Sequence, residues 1–339
     1  MNPFERTHNL ARAAAVALAV VLSAPATADA QTVYEGPTTG SHRLTILGTW
    51  ESFFGYALND IGDVLGMTRA PDGLNHVVRW DGTRLVDLGP GLPGDIDNRR
   101  QVVGGHLQDG TLRAATWDRL GRLTLLENES LYGYASAIGR SGHIAGYVIT
   151  PSPIATLWYD GAATSLWRGY AYDVNRSGIA AGVLFSDDPV GNFAVISDGV
   201  RTTVLGSNAG SSFASAINER GDVVGEDQRR AVLWTRGTAI ELALPAGDCA
   251  VSSAAHLDDG STIVGYCAST AGYSRAVQWR GVAREAVDLN TLLSPEDVGA
   301  GWVLVQSVRV NRRGSVLGYA TNALVCATCT YTFLLERID

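Results

Sequence analysis

Residues that could carry out catalysis are present in this chain, but their spacing does not form a known catalytic or metal-binding motif. Beyond the first thirty residues the histidines stand one to a segment, at His42, His76, His106, His143 and His256, with neither H-x-H nor H-x-x-E-H spacing. No G-x-S-x-G sequence presents a serine on a strand-to-helix turn. All 26 basic residues are arginine, which excludes lysine Schiff-base and P-loop lysine chemistry. We therefore assign no catalytic residue, no metal ligand and no cofactor.

The four cysteines stand in two close pairs along the chain. Cys249 and Cys267 flank the first two strands of one repeat, and Cys326 and Cys329 form a C-x-x-C sequence. Four cysteines allow three disulfide pairings, and we favour the two local ones. Valine and threonine near the C-x-x-C indicate a strand or loop, whereas a redox-active thiol needs a helix N-terminus to lower its pKa.

The first thirty residues have the pattern of a targeting segment. Arg6 and Arg12 precede a short apolar run (13–24), and Ala28-Asp29-Ala30 offers a small-x-small cleavage site. We predict a cleaved signal peptide (1–30), a short linker (31–41) and one domain (42–339), and hence a secreted or periplasmic protein. A retained membrane anchor is the alternative, although the apolar run is too short to span a bilayer.

Charge and hydropathy narrow the range of partners. The net charge is −8 and there is no basic run, so nucleic acid is not an expected partner. No later stretch is long and apolar enough to span a membrane, so none is expected to remain after signal cleavage. We expect a monomer.

One motif, apolar-Asn-x-x-Gly-x-apolar-apolar-Gly, occurs seven times and indicates the elements that would position any site. The copies are LNDIGDVLG (58–66), IDNRRQVVG (96–104), IGRSGHIAG (138–146), VNRSGIAAG (174–182), INERGDVVG (217–225), LDDGSTIVG (257–265) and VNRRGSVLG (310–318). Their closing glycines are 38, 42, 36, 43, 40 and 53 residues apart. A period near forty residues with four strand-sized segments is typical of a propeller blade. The sequence predicts an all-β, seven-bladed β-propeller with four-stranded antiparallel blades, with an open solenoid as the alternative.

The first copy shows how the repeat would build a blade. YALN (56–59) and DVLG (63–66) predict two strands joined by an Asn-x-x-Gly turn, and HVVRW (76–80) and RLVDL (84–88) predict the third and fourth. A tryptophan of the third strand recurs at Trp80, Trp117, Trp158, Trp234 and Trp279. We interpret these rings as packing between neighbouring blades rather than as sugar-stacking residues.

The last copy has no fourth strand before the chain stops. Its third strand is YTFLLE (331–336), and the segment HRLTILG (42–48) resembles the fourth strands of other copies. We predict that this N-terminal strand pairs beside residues 331–336 and completes the seventh blade, which would remove a free sheet edge.

The longer connections between strands should share one face of the ring, because the Asn-x-x-Gly turns and the tight hairpins occupy the other. Variable loops on a rigid scaffold are common binding sites. We expect these loops to expose aromatic residues that stack on sugars or contact a partner protein. The candidate ligand-binding residues are Trp50, Phe53, Phe54, Tyr132, Tyr170, Phe213, Tyr273 and Trp302. The alternative is that several of them fold inward and cover the ends of the blades.

The repeat resembles that of the HAF repeat family of extracellular bacterial proteins. SAINERGDVVG (215–225) followed by AVLW (231–234) is the closest copy, and the resemblance covers residues 42–337. Single copies depart from the pattern: Gly139, Asp97 and Asp258 replace Asn, Arg100 and Ser261 replace the turn Gly, and Ile196 and Leu335 replace Trp. The resemblance implies secretion and a repeat fold, and it implies no activity or catalytic residues.

Three classes of function remain. The leading hypothesis is a binding or interaction module that uses its long-loop face for a glycan or a surface protein. A polysaccharide lyase or hydrolase is the alternative, because two carboxylates can come from distant blades and meet at the mouth of the central channel. A purely structural or adhesive surface protein is the third.

Overall fold

The computed structural model describes residues 34–36, 41–49, 51–126, 132–187, 190–207, 211–280 and 284–338. The predicted signal peptide, most of the predicted linker and Trp50 lie outside the described residues. Antiparallel strands make up most of the described chain and helix is almost absent from it, which confirms the prediction of an all-β protein.

The strands form five sheets, two of which have seven strands each. The first contains β3 (Phe54–Leu58), β4 (Val64–Arg69), β5 (Asn75–Trp80), β6 (Leu85–Ile96), β7 (Val102–Gln108), β8 (Thr111–Trp117) and β9 (Leu123–Leu125). The second contains β10 (Gly133–Ile138), β11 (Ile144–Ile149), β12 (Pro153–Tyr159), β13 (Ala162–Val174), β14 (Ala180–Asp187), β15 (Val190–Ser197) and β16 (Thr202–Val204). In each, one long strand (β6 or β13) is both the fourth strand of one repeat and the first strand of the next.

Two further sheets have four strands each, and each corresponds to one repeat. One contains β17 (Ser212–Ile217), β18 (Val223–Asp227), β19 (Arg230–Thr235) and β20 (Thr238–Glu241). The other contains β21 (Val251–Leu257), β22 (Ile263–Ala268), β23 (Ser274–Arg280) and β24 (Glu285–Asp288).

The fifth sheet joins the two ends of the chain. Its strands are, in spatial order, β1 (Tyr34–Glu35), β2 (His42–Thr49), β27 (Cys326–Arg337), β26 (Val316–Asn322) and β25 (Val303–Val310). His42 pairs with Arg337 and Thr49 with Tyr331. The predicted pairing of the N-terminal strand with residues 331–336 is therefore confirmed.

The first strands of the repeats contact one another in sequence order, and β25 of the last repeat contacts β3 of the first. The hydrophobic core lies between neighbouring repeats. One cluster joins Ala57, Leu65 and Val77 of repeat 1 to Ile96, Val102 and Trp117 of repeat 2. Trp117 and Trp279 are fully buried, and Trp158 and Trp234 are nearly so. The interpretation of these rings as packing residues is confirmed for these four positions, and each buried ring contributes several kcal/mol, about 3–5 by the cost of truncation to alanine.

The two glycines of the motif have different tasks. The turn glycine takes a positive φ, and where Arg100 and Ser261 replace it the backbone still has φ values of 66° and 76°. At the closing glycine, for example Gly225, a Cβ atom would clash with the carbonyl oxygen of Phe213 on the adjacent first strand. Close approach of two backbones therefore requires glycine there.

Two local features complete the described fold, and the second confirms the predicted disulfide pairing. Ser294 caps the short helix α1 (Pro295–Gly299) in a capping box with Asp297. Cys249 pairs with Cys267, and Cys326 pairs with Cys329. Within the described residues no helix is long and apolar enough to cross a bilayer.

Candidate functional site

Every first strand carries a β-bulge at the same place, three residues before the motif asparagine. The pairing register skips Tyr56, Gly94, Ser136, Tyr172, Ser215, Ala255 and Val308 in turn. A bulge leaves one residue unpaired and twists the strand locally, so it re-aims the neighbouring side chains. The residue that follows the bulge is therefore the position at which the repeats can differ in function.

That following position is alanine in three repeats and polar in the other four. The alanines are Ala57, Ala137 and Ala216, and all three are buried in the core. The polar residues are Asp95, Asp173, His256 and Arg309. Because alanine at this position is compatible with the fold in three repeats, folding does not explain the polar residues in the other four. We call Asp95, Asp173 and His256 the cavity trio.

Each member of the trio is anchored to the next repeat by one hydrogen bond. The carboxylate of Asp95 accepts from the backbone N–H of Ile138 at 3.2 Å, and that of Asp173 accepts from Ile217 at 2.8 Å. The Nδ1 atom of His256 accepts from the N–H of Val310 at 3.4 Å. A neutral His256 ring therefore carries its proton on Nε2 and can donate it to another partner.

Burial sets the protonation of the trio, and Arg309 modifies it. Burial raises the pKa of Asp173 to about 7, opposed by the Ile217 N–H and by Arg309 and reinforced by Asp95. Burial likewise raises the pKa of Asp95, and Arg309 opposes the rise. Burial lowers the pKa of His256 to about 3, and Arg309 lowers it further. Near neutral pH the site thus holds a neutral imidazole and a carboxyl group poised to gain or lose a proton.

The trio lines a cavity of about 340 Å³ at the face formed by the Asn-x-x-Gly turns. All seven repeats contribute to its wall, each through the end of its first strand or the turn that follows. The cavity therefore lies at the centre of the ring of first strands, on the short-turn side rather than on the long-loop side. This volume is at the lower end of the range for ligand pockets in proteins.

The residue directly after each motif asparagine forms a second layer outside the trio, which we call the mouth ring. Its members are Asp60, Asn98, Arg140, Arg176, Glu219, Asp259 and Arg312. Several neighbouring members are joined by hydrogen bonds from a backbone N–H to the next side chain, as from Asp60 to Asn98 at 2.8 Å and from Glu219 to Asp259 at 3.0 Å. Arg312 closes the ring, since its N–H donates to Asp60 at 3.0 Å and its guanidinium contacts Asp259.

No protein-family model and no curated protein matches this chain. Solved structures do resemble it. An oligogalacturonate lyase from Vibrio parahaemolyticus is 14% identical, with a TM-score of 0.56 over 92% of this chain and 98% of the lyase. The β-propeller domain of the Trilobed protease from Pyrococcus furiosus is 11% identical, with a TM-score of 0.51 over 78% of this chain and 99% of that domain. This protein has a β-propeller fold.

A puromycin-hydrolysing peptidase from Mycobacterium tuberculosis is also similar, at 14% identity and a TM-score of 0.54. The match covers 79% of this chain and 48% of the peptidase, so the chain spans about half the length of that protein. At these identities the likeness concerns the propeller fold alone.

The aromatic residues predicted to bind a ligand do not form one exposed surface on the propeller. Phe53, Phe54 and Trp302 are buried, which corrects the expectation that they lie in exposed loops. Phe53 packs in the hydrophobic core, Phe54 stacks on Tyr319 at 4.5 Å between ring centroids, and the ring of Trp302 lies 5.0 Å from that of Tyr331. Their rings are therefore used in packing and are not available to a ligand.

The other candidates differ in exposure. Tyr132 and Tyr170 are half-buried and both lie near Tyr147, with ring centroids 6.4 Å and 4.6 Å from it. Phe213 is half-buried within a strand, whereas Tyr273 is 77% exposed. Tyr273 is thus the one described member of the set that is fully available on the long-loop face.

The cavity trio was missing from the sequence-based candidates, although a signal for it exists. Aligned on the motif, the residue two before the asparagine reads Ala, Asp, Ala, Asp, Ala, His and Arg. A search for polar departures at an otherwise small position would have found the site. The position adjoins a repeated motif, where scaffold residues are usual, whereas variable loops are the common place for a binding site.

Proposed function

We propose that this protein is an exported binding module that holds a small, hydroxyl-rich ligand, of the size of a mono- or disaccharide, in the cavity of its propeller. The proposal rests above all on the convergence of Asp95, Asp173 and His256 in one cavity, at the single repeat position where alanine would serve the fold. Binding sites of this size combine a concave shape with a few polar groups that fix the ligand's orientation.

The chemistry of the trio favours a neutral hydrogen-bonding ligand. His256 offers a donor on Nε2, and Asp173 offers a donor or an acceptor according to its protonation. Alternating donors and acceptors suit hydroxyl groups, each of which can both donate and accept. Buried polar groups of this kind reject ligands that leave them without a partner, which would give the site its selectivity.

The architecture behind this proposal is a seven-bladed propeller. Each seven-stranded sheet would consist of two blades that share a continuous strand, and the N-terminal strand β2 would complete the last blade. The mature chain would begin at residue 31 after signal cleavage, and the motif would place the protein in the HAF repeat family of exported proteins. Two local disulfides fit an oxidising compartment outside the cytoplasm.

An enzyme acting on a saccharide is the second candidate, because the trio has groups able to move a proton. Asp173, with a pKa of about 7, is suited to general acid–base chemistry, and Asp95 and Arg309 influence its charge. An oligogalacturonate lyase is among the proteins of similar fold, but that likeness extends to the fold alone.

The long-loop face stays a predicted surface for a glycan or a partner protein. Tyr273 and several apolar side chains near the end of the chain are exposed there, including Leu324 and Val325. Binding in the cavity and binding on the long-loop face should be abolished by different substitutions, so one experiment distinguishes the two sites.

A thermal-shift screen with saccharides tests the proposal. The chain from residue 31 is incubated with neutral mono- and disaccharides and with uronic acids, each at about 10 mM so that weak binding is detected. We expect at least one compound to raise the melting temperature of the native protein and of Tyr273→Ala, but not of a folded Asp173→Ala/His256→Ala variant. Loss of the effect in Tyr273→Ala alone would place the site on the long-loop face. Mass spectrometry of the incubated saccharide shows whether it is also cleaved.

A further inference from the structure

We propose that Arg140 is a side-chain gate on the cavity, so that a ligand reaches the cavity trio only when Arg140 leaves its acidic partners. This inference rests on the proposed role of the cavity as the binding site, and it concerns how that site is opened. It is drawn from the position of one guanidinium group across the mouth ring.

Arg140 comes from repeat 3, but its three acidic partners come from repeats 1, 5 and 6. Its Nη2 atom lies 3.0 Å from Oδ2 of Asp60 and 3.4 Å from Oδ2 of Asp259, and its Nε atom lies 3.4 Å from Oε1 of Glu219. All four residues line the cavity. A side chain that contacts acids on the far side of a ring must lie across the opening, and therefore lies between solvent and the trio.

The other two arginines of the mouth ring do not cross the opening. Arg312 of repeat 7 contacts Asp60 and Asp259, which belong to the repeats on either side of it. Arg176 of repeat 4 approaches only Glu219 of repeat 5, at 3.9 Å. Within the described residues of the ring, Arg140 alone joins repeats that are not neighbours.

The turn that carries Arg140 is also tied less firmly than the others. In the other repeats the motif asparagine, or the aspartate that replaces it at Asp97 and Asp258, accepts from N–H groups of its own turn, and several asparagines also donate to the next repeat, as Asn175 does to the carbonyl of Asn218 at 3.3 Å. Gly139 replaces that asparagine here, so both side-chain bonds are missing. Two backbone hydrogen bonds, from Gly139 to His143 and from Gly142 to Gly139, and one side-chain bond, between Ser141 and His143 at 2.6 Å, hold the turn itself. Repeat 3 therefore combines a side chain that lies across the opening with a turn that lacks the asparagine hydrogen bonds.

The contacts of Arg140 are of a kind that breaks easily. Its side chain is 42% exposed, and the acids it contacts are 15–24% exposed. Ion pairs that reach solvent are individually weak and are screened by salt. The closed position is therefore reversible, and opening should become more frequent as ionic strength rises.

A cysteine placed in the cavity can report on the gate without knowledge of the ligand. The protein has four cysteines, all paired in disulfides, so an introduced cysteine would be its only thiol. Asp173→Cys supplies the reporter, and Asp95→Cys supplies a second one in another repeat if the first fails to fold. The probe is methyl methanethiosulfonate, which is small and uncharged, so changes of surface charge do not alter its local concentration. Its reaction rate with the folded protein is measured at low salt, with and without Arg140→Ala.

We expect Arg140→Ala to raise the modification rate about tenfold at low salt, and the matched control Arg176→Ala to change it less than about twofold. About 0.5 M NaCl should raise the modification rate of the protein that keeps Arg140. The difference in rate between this protein and the Arg140→Ala variant should then become smaller. Equal rates with and without Arg140, or an equal effect of Arg176→Ala, would overturn the gate. The outcome is independent of the saccharide screen: failure of the screen leaves these rates unchanged, and failure of the gate leaves ligand binding by the trio intact.

Discussion

The side-chain amide of Asn311, in the last repeat, donates to the backbone carbonyl of Asn59, in the first repeat, at 3.1 Å. The same side chain accepts from the N–H groups of Arg313 and Ser315 and so holds its own turn. Asn59 repeats the arrangement, since its amide donates to the carbonyl of Asp97 in repeat 2 at 3.1 Å. The motif asparagine is therefore both a turn cap and a tie between repeats, and at Asn311 this tie closes the ring.

Asn311→Asp separates the two tasks of this residue. The aspartate carboxylate still accepts from the N–H groups of its own turn. It cannot donate to Asn59, and one of its oxygens would face the carbonyl oxygen of Asn59. We expect a loss of about 1–2 kcal/mol in the free energy of unfolding, measured by urea denaturation. Asn311→Ala should cost about 1 kcal/mol more, because the turn cap is lost as well. An Asn311→Asp protein as stable as the native one would refute the tie, and an alanine variant no less stable than the aspartate variant would refute the turn cap.

Deletion of residues 31–48 tests closure by the N-terminal strand. The deletion removes β2 up to Gly48, so β27 keeps β26 but loses its other hydrogen-bonded neighbour along a ladder that runs from His42–Arg337 to Thr49–Tyr331. An unpaired edge and an exposed core surface should lower the melting temperature markedly and promote aggregation. Deletion of residues 31–40 is the control, because it keeps β2. If the longer deletion melts no lower than the shorter one, the strand does not close the fold.

Asp173 and His256 should influence stability in opposite directions as pH changes. The folded-state pKa of Asp173 is about 7 because of burial, above the ordinary aspartate value of 3.8. The contribution of Asp173 to stability is therefore complete at acid pH and is lost as pH rises from about 4 to about 7. The free energy of unfolding falls by at most about 4 kcal/mol over this range. The folded-state pKa of His256 is about 3, below the ordinary 6.5, so its contribution is lost as pH falls through that range.

Paired variants measure these two effects. Relative to the native protein, Asp173→Asn should gain stability as pH rises between about 4 and 7, and His256→Gln should gain stability as pH falls between about 6.5 and 3. Urea denaturation over this pH range gives both differences. Slopes of the same sign for the two variants would contradict the protonation states assigned to the cavity.

Much of the fold could be predicted from the sequence because the residues that determine it act locally. Asn59 and Gly62 specify a turn, Gly66 specifies a close backbone approach, and Trp117 specifies a buried ring, and each recurs at nearly the same spacing. The pairing of β2 with β27 followed from the missing strand of the last repeat. The merging of two repeats through β6 was not predicted, because Gly89-Pro90-Gly91 is typical of a turn, whereas in the structure these residues continue the strand.

The cavity site was harder to predict from the sequence because its residues become neighbours only when the ring closes. Asp95, Asp173 and His256 are about eighty residues apart in sequence, and each alone resembles an ordinary polar residue beside a turn. The bulge that aims them has no sequence signature, since it falls on tyrosine, glycine, serine, alanine and valine alike. Phe53 and Trp302 were misplaced for the related reason that burial of an aromatic residue near a loop depends on its packing partners.

The central claim is that the functional site lies in the cavity on the short-turn face. The most direct measurement is a crystal structure of the chain from residue 31 bound to the saccharide with the largest thermal shift. We predict the saccharide in the cavity, within hydrogen-bond distance of His256 Nε2 and the Asp173 carboxyl, with Arg140 displaced from at least one of its acids. A saccharide bound at Tyr273 on the long-loop face, with the cavity unoccupied, would contradict the claim.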